Sequence, residues 1–361
     1  MYKAAIIADS LSPQGKRLTT FVVTYPRIVH AEMCRHGMLS RNTASSRAIP
    51  FKKMVKDVQE NPFISIAWQK DHKGMQGTEY FTENDNTIPF IGFYGTQLYA
   101  NKPLEAIEHE WLKARDKAIE FASNLNSIGV TKQLCNRLLE PFVWVTEIIT
   151  GTEWENFFKL RCPQYTIHRV QPQDDYVTYL SWKDLCKDYP EMTKCTLLER
   201  LECNKSQAEI HIQAIAELMW DEFYSSTPKQ LQAGEWHIPY GDNIDFDVLA
   251  SNYGEDVAYD MMIKIATARC ARISYETLGD NPKIDYEADI KLHNRLKEME
   301  HMSPFEHVAR AMSDEEYKSF HRGELADYTN TAEGYHPKSE ESLGWCRNFN
   351  GFIQYRHLIE S

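Results

Sequence analysis

The densest run of residues that could do chemistry is Arg35-His36-Gly37-Met38-Leu39-Ser40-Arg41-Asn42-Thr43-Ala44-Ser45-Ser46-Arg47. Guanidinium forks, hydroxyls and backbone amides in one short stretch are what a phosphate monoester needs as partners. From Met33 to Lys56 there is no Asp or Glu, and Arg35, Arg41, Arg47, Lys52, Lys53 and Lys56 are the cations. The whole chain has a net charge of −12, so this island stands out. It suits a compact anion better than a long nucleic-acid backbone. A solvated basic loop would leave the same mark. Read alone, His36 and His301 also suit structural histidines. Arg161 suits compensation of a helix dipole, and Ser45 suits a plain turn. Ser45 is not read as a covalent nucleophile, because no base partner is evident.

The elements that must position these residues can be read in part. RLTTFVVTY at 17–25 is β-branched and aromatic and predicts a strand. Pro26 then opens a short helix that ends near Gly37. SRNTASSRAIP at 40–50 reads as a loop. Residues 103–125 predict an amphipathic helix with Leu104, Ile107, Trp111, Ala118 and Phe121 near one stripe. Thr131 caps a helix that Pro141 ends, and Thr152 caps TEWENFFKLR. Helices follow at 206–225, about 255–272 and 284–301, with a possible strand near Trp236–Tyr240.

Residues 163–204, with three prolines and many charges, read as an insertion or small subdomain. Cys162, Cys186, Cys195 and Cys203 with His168 lack the spacing of compact zinc fingers and read as core thiols rather than metal ligands. No metal set is assigned. The segment 313–361 reads as loop-rich, with Trp345, Phe349, Phe352 and Tyr355 assigned to packing; a surface for a ligand or a second subunit is the other option.

The chain has 361 residues, 42% hydrophobic and 25% charged, so it can bury a core without disulfide staples. Disorder, collagen and coiled-coil classes are excluded by composition. No apolar run reaches the roughly 18 residues of a membrane span. No secretory signal is read at the N-terminus, and reduced thiols in the cytoplasm are expected for the eight cysteines. Neither GxGxxG nor GxxxxGK[ST] occurs.

RHGMLSRNTASSR resembles the signature of flavin-dependent thymidylate synthases, the ThyX family, which runs Arg-His-Arg, then Ser, Asn, Ser and Arg at fixed offsets. Every one of these positions matches except the third, where Gly37 stands for Arg. NRLLEP at 136–141 and NFFKLR at 156–161 resemble further family segments, and QAEI at 207–210 resembles the helix that follows. ARISY at 271–275 with HMSPFEH at 301–307 resembles the family's flavin segment. That segment precedes the signature in ordinary members and follows it here, so the order is that of a circular permutation, which exposed termini permit. The likeness spans 20–50, 130–162, 205–225 and 264–310. Thr43 stands where the family has Glu, Glu32 where it has Gln, and Lys205 where it has His.

The resemblance implies an α/β (α+β) fold with an antiparallel sheet flanked by helices. The permuted catalytic domain would cover 1–162 and 205–312. It implies a transferase that moves a one-carbon unit from methylenetetrahydrofolate to C5 of dUMP, with hydride from FAD reduced by NADPH, giving dTMP. Arg161 and Ser45 would be catalytic. Arg47, Arg137, Ser45, Ser46 and Arg161 would bind substrate, and Arg35, His36, Asn156, Ser274, His301, Ser303 and Glu306 the cofactors. A homotetramer with shared active sites is implied, acting in the cytoplasm, or a host's cytoplasm if phage-encoded. No nucleic-acid or membrane partner is expected. The departures at Glu32, Gly37 and Thr43 keep two alternatives open, a dUMP or dCMP 5-hydroxymethylase and, with Lys205, a non-catalytic nucleotide-binding relative.

Overall fold

The computed structural model describes residues 1–74, 77–85, 88–91, 97–100, 102–169, 175–275, 285–322, 328–331, 334–337 and 342–361. It is a mixed α/β chain whose largest sheet has five strands. Their order across the sheet is Ser40–Thr43, Trp144–Gly151, Arg17–Pro26, Lys3–Leu11 and Lys229–Gln230. All neighbours are antiparallel except the last pair.

Side-chain alternation along the strands gives the sheet two faces with different tasks. Phe21, Val23 and Tyr25 register against Ile149, Glu147 and Val145. Its centre is apolar, with Thr43 and Arg41 beside Glu147 at the edge strand, and helix Ile210–Ser225 covers it through Ile212, Ile215, Ala216 and Met219, with Trp154, Phe157 and Phe158 closing the core. The opposite face carries Ser40, Asn42, Ile148, Thr150, Thr20 and Val22. Helix Glu255–Arg272 packs there through Cys270, with Ile273 just beyond it.

The polar residues of that second face bond to the C-terminal half. The Thr20 hydroxyl lies 2.8 Å from both the Thr150 hydroxyl and His237 Nε2, and Thr150 Oγ1 lies 2.8 Å from His307 Nδ1. Burial pushes both imidazoles down to about 3. In the unfolded chain each would titrate near 6.5. The unfolded state therefore takes up protons first as pH falls, so the contribution is complete above about 6.5 and is lost between there and 3. Urea unfolding across that window should show a steep loss of stability, flattened in His237→Gln. An unchanged slope in that variant would remove His237 from the account.

Most expected elements form: Arg17–Pro26, Pro103–Ser127, Ile210–Ser225, Glu255–Arg272 and Tyr286–Glu298. Three differences have physical reasons. The expected loop 40–50 begins as strand Ser40–Thr43, because its polar side chains find partners in the fold and its backbone pairs with Trp144–Gly151. Thr152 caps no helix; its hydroxyl accepts the Asn350 N–H at 3.2 Å, and Trp154 stands at the N-cap of Glu155–Arg161. Strand Trp144–Gly151 has no counterpart in the sequence reading. A Cβ on Gly151 there would displace the end of the Leu39 side chain.

The end of the expected loop-rich segment, 345–355, is part of the core. Strand Phe352–Gln354 pairs with Ala309–Ala311, which pairs with Trp236–His237. Phe349 and Phe352 are fully buried with Leu18 and Leu231. Phe352→Ala should cost about 3–5 kcal/mol by the lost burial and the cavity left behind. Chemical denaturation measures this, and a loss below 1 kcal/mol would mean that the tail is dispensable.

Within 163–204, hairpin Tyr165–Arg169/Asp175–Tyr179 and helices Trp182–Asp188 and Leu197–Cys203 surround a small core of Tyr165, Trp182 and Leu185, against which Cys186, Cys195 and Cys203 pack. The Glu217 carboxylate anchors this unit to helix Ile210–Ser225 by accepting the Trp182 N–H at 2.6 Å and the Tyr165 hydroxyl at 3.3 Å. Among the described residues no helix is long and apolar enough to cross a membrane.

Candidate active site

Two stretches near opposite ends of the chain meet at the edge of the large sheet. The Ser45 N–H donates to the Ser274 carbonyl at 3.2 Å. The Ser303 hydroxyl donates to Asn42 Oδ1 at 2.8 Å, and Asn42 Nδ2 donates to the Cys270 carbonyl at 3.4 Å. Asn42 lies on the second face, where helix Glu255–Arg272 ends, so strand alternation explains why this Asn and not Arg41 makes the junction.

Beyond Thr43 the chain turns and is pinned from the other side. The Ser46 hydroxyl donates to Glu140 Oε1 at 2.7 Å. Asn136 Nδ2 donates to the carbonyls of Ser46 at 2.7 Å and Ile49 at 3.0 Å. Arg137 Nη1 lies 4.0 Å from Glu140 Oε1, and both Arg137 and Arg47 are exposed. Two guanidinium groups thus flank a loop whose backbone is held in place. Beside it lies a cavity of about 310 Å³ walled by Arg27, Ala44, Ser46, Trp144, Thr146 and Ile273, among others. That is at the lower end of the size range of small-molecule sites.

At the other end of strand Ser40–Thr43 a second group forms. Arg161, the last residue of helix Glu155–Arg161, donates from Nε to His36 Nε2 at 3.0 Å. Phe157 on the same helix meets the His36 ring edge-on at 5.0 Å. Burial, then the nearby Arg161 and Arg41, push His36 down to about 4, so at neutral pH it is an uncharged acceptor. Burial and the Arg35 guanidinium lower Arg161, against which the Glu32 carboxylate acts. Glu32 Oε2 is itself buried without a hydrogen-bond partner. Arg35 and Asn156 are exposed. A Cβ on Gly37 would meet nothing within 4 Å, so the absent third cation of the signature is not a steric necessity.

No family model matches the chain, and no curated protein matches it. Two solved structures of a UMP/dUMP methylase, PolB from Streptomyces cacaoi, show a loose likeness. The one bound with 5-Br dUMP is 16% identical, covering 58% of this chain and 67% of that one, with a TM-score of 0.31. The one bound with 5-Br UMP is 15% identical, covering 62% and 89%, with a TM-score of 0.36.

The remaining candidates divide. Ser274 and Ser303 are at the junction just described. His301 is exposed two residues before Ser303. Glu306 accepts from Arg356 Nη1 at 2.6 Å, so its charge is already matched within the chain. Among the described residues, no hydrogen bond or ion pair joins the Arg161–His36 group to the Ser45–Arg137 group. The strand between them spans about 13 Å.

Sequence reasoning missed four contributors. Glu140 and Asn136 position the loop. Asn348 Nδ2 and Gln354 Nε2 reach the Ser40 hydroxyl at 3.0 and 3.3 Å. The only available signal for that pair was polar residues set among the aromatics of the tail.

Proposed function

We propose that this chain is a flavin-dependent enzyme of nucleotide metabolism that alkylates C5 of dUMP, giving dTMP. The observation that carries the reading is the junction of Asn42 and Ser45 with Ser303 and Ser274. The sequence resemblance assigns those two stretches to one site although they are remote in the chain, and hydrogen bonds of 2.8 and 3.2 Å join them.

The donor set fits FAD. Arg35, His301 and Asn156 are exposed polar groups, and the one carboxylate in the set, Glu306, is neutralised by Arg356. Within this set a flavin pyrophosphate would meet donors and no unmatched anion; the unpartnered Glu32 carboxylate oxygen lies outside it. When bound, reduced FAD would supply the hydride, with NADPH as its reductant and methylenetetrahydrofolate as the carbon source.

The protein's own residues bind and polarise. Arg47 and Arg137 hold the 5′-phosphate. The Ser45 N–H is committed to Ser274, which leaves the Ser45 hydroxyl, with Ser46 behind it, to face the nucleotide. His36 takes the Arg161 Nε–H and so orients the guanidinium. Its two Nη groups then point donors at a uracil carbonyl and draw electron density from the ring. Arg161 and Arg47 stand at opposite ends of a strand, and in the tetramer reading a second copy of the chain completes the site.

Incubation with FAD, NADPH, methylenetetrahydrofolate and either dUMP or dCMP, followed by mass analysis of the nucleotide, tests this. A methyl group added to uracil is expected. Hydroxymethyl, or addition to cytosine, would replace the reading by the hydroxymethylase alternative, and nucleotide binding without turnover by the non-catalytic one.

A further inference from the structure

Helix His30–Cys34 and strand Trp144–Gly151 bring together three side chains that neither the nucleotide nor the flavin reading uses. The ligating atoms of His30, Cys34 and Glu147 all lie within 4.8 Å of one another. His30 and Cys34 stand four residues apart, one helical turn, so they share a face. Glu147 arrives from the sheet and is fully buried. We propose that His30, Cys34 and Glu147 form a binding site for a borderline-soft divalent cation, zinc above all.

Three features of the geometry point this way. Cys34 Sγ lies 3.5 Å from His30 Nε2. Two ligands on one tetrahedral zinc, with Zn–S near 2.3 Å and Zn–N near 2.0 Å, keep about that separation. The second layer is also in place. The Tyr25 hydroxyl lies 2.7 Å from His30 Nδ1 and donates to Glu147 Oε2 at 2.6 Å. That contact occupies Nδ1 and leaves Nε2 for the metal. The Thr43 hydroxyl donates to Glu147 Oε1 at 2.6 Å. A ligand carboxylate and a ligand imidazole are thus each held by an outer partner, the usual arrangement around a protein-bound metal. Charge closes the argument. One thiolate and one carboxylate neutralise a dication, so the neighbouring Arg27 and Arg41 face no net positive centre. Ligation replaces the thiol S–H by a metal–sulfur bond and releases that proton to solvent.

A dyad of Cys34 as nucleophile and His30 as base is the competing reading of the same atoms. Burial and Glu147 raise the Cys34 thiol above its ordinary range, the opposite of what a free nucleophile needs. With three protein ligands, the fourth position would be left to water or to a ligand atom from outside.

The experiment is titration of the metal-free full-length protein with cobalt(II), a spectroscopic stand-in for zinc. One equivalent should bind, with tetrahedral d–d bands and a thiolate-to-cobalt charge-transfer band, and zinc should displace it. Cys34 is exposed, so Cys34→Ser will fold; it should lose the charge-transfer band. Tyr25→Phe, a positioning change, should weaken cobalt binding about 10–100-fold while keeping the spectrum. Absence of stoichiometric binding in the unaltered protein would overturn the proposal. So would a charge-transfer band that survives Cys34→Ser, which would place the metal on other thiols. None of these readouts depends on flavin or nucleotide turnover.

Discussion

Arg161→Ala should lower nucleotide turnover by about 100- to 1,000-fold, the usual loss when one donor to a developing negative charge is removed. The side chain has one job inside the chain, its Nε bond to His36 at 3.0 Å. It is partly exposed at a helix end, so the fold should survive its removal. The expected signature is therefore a fall in kcat with an unchanged melting temperature. Flavin absorbance should stay with the protein, because of the proposed flavin contacts only His36 touches Arg161, while Arg35, Asn156, Ser274, His301, Ser303 and Glu306 remain. Arg161→Lys keeps the charge but not the fork through which His36 orients the group, so it should recover only part of the rate. Removing Arg161 also takes away one of the charges that hold His36 low, and the variant's His36 should titrate closer to 6.5, readable by NMR. Full turnover in Arg161→Ala would strip this residue of its role.

The second large effect concerns phosphate recognition. Arg47→Ala and Arg137→Ala should each raise KM for the nucleoside monophosphate by about 10- to 100-fold. A hydrogen bond to a charged group contributes about 1.5–3 kcal/mol, and 1.4 kcal/mol is tenfold in binding. Both side chains are exposed, and the loop between them is held by Ser46, Asn136 and Glu140, so stability should not change. The discriminating comparison is with the nucleoside that lacks the phosphate. Its weak binding should be the same in the unaltered chain and both variants. If nucleoside and nucleotide suffer equally, the two arginines act on something other than phosphate.

Local sequence signals carried much of the fold. The β-branched run at 17–25 and the long period of 103–125 formed as expected because burial and propensity agree there. The signature segment is the instructive exception. Ser40 and Asn42 are poor strand formers in isolation, yet with Arg41 and Thr43 they pair with Trp144–Gly151. Ser40 is met by Gln354 and Asn348, Asn42 by Ser303, and Thr43 by Glu147. Each partner lies more than a hundred residues away, so no local window contains the reason. The same holds for the site. That Ser45, Ser274 and Ser303 belong together came from the resemblance and not from their spacing. The Arg161–His36 contact was invisible, since two cation-forming residues do not announce that one will be kept neutral by burial. Glu147 was overlooked because the strand that carries it was not read from the sequence; the sheet turns it inward onto Tyr25 and Thr43.

The central claim is that residues 35–47, with Ser274 and the segment 301–306, line one flavin site. Hydrogen–deuterium exchange of the apoprotein, with and without FAD, tests it most directly. The account predicts that FAD slows exchange in peptides covering both stretches together, at the same ligand concentration. Protection confined to one of them, or found in neither while FAD binds elsewhere, would contradict it.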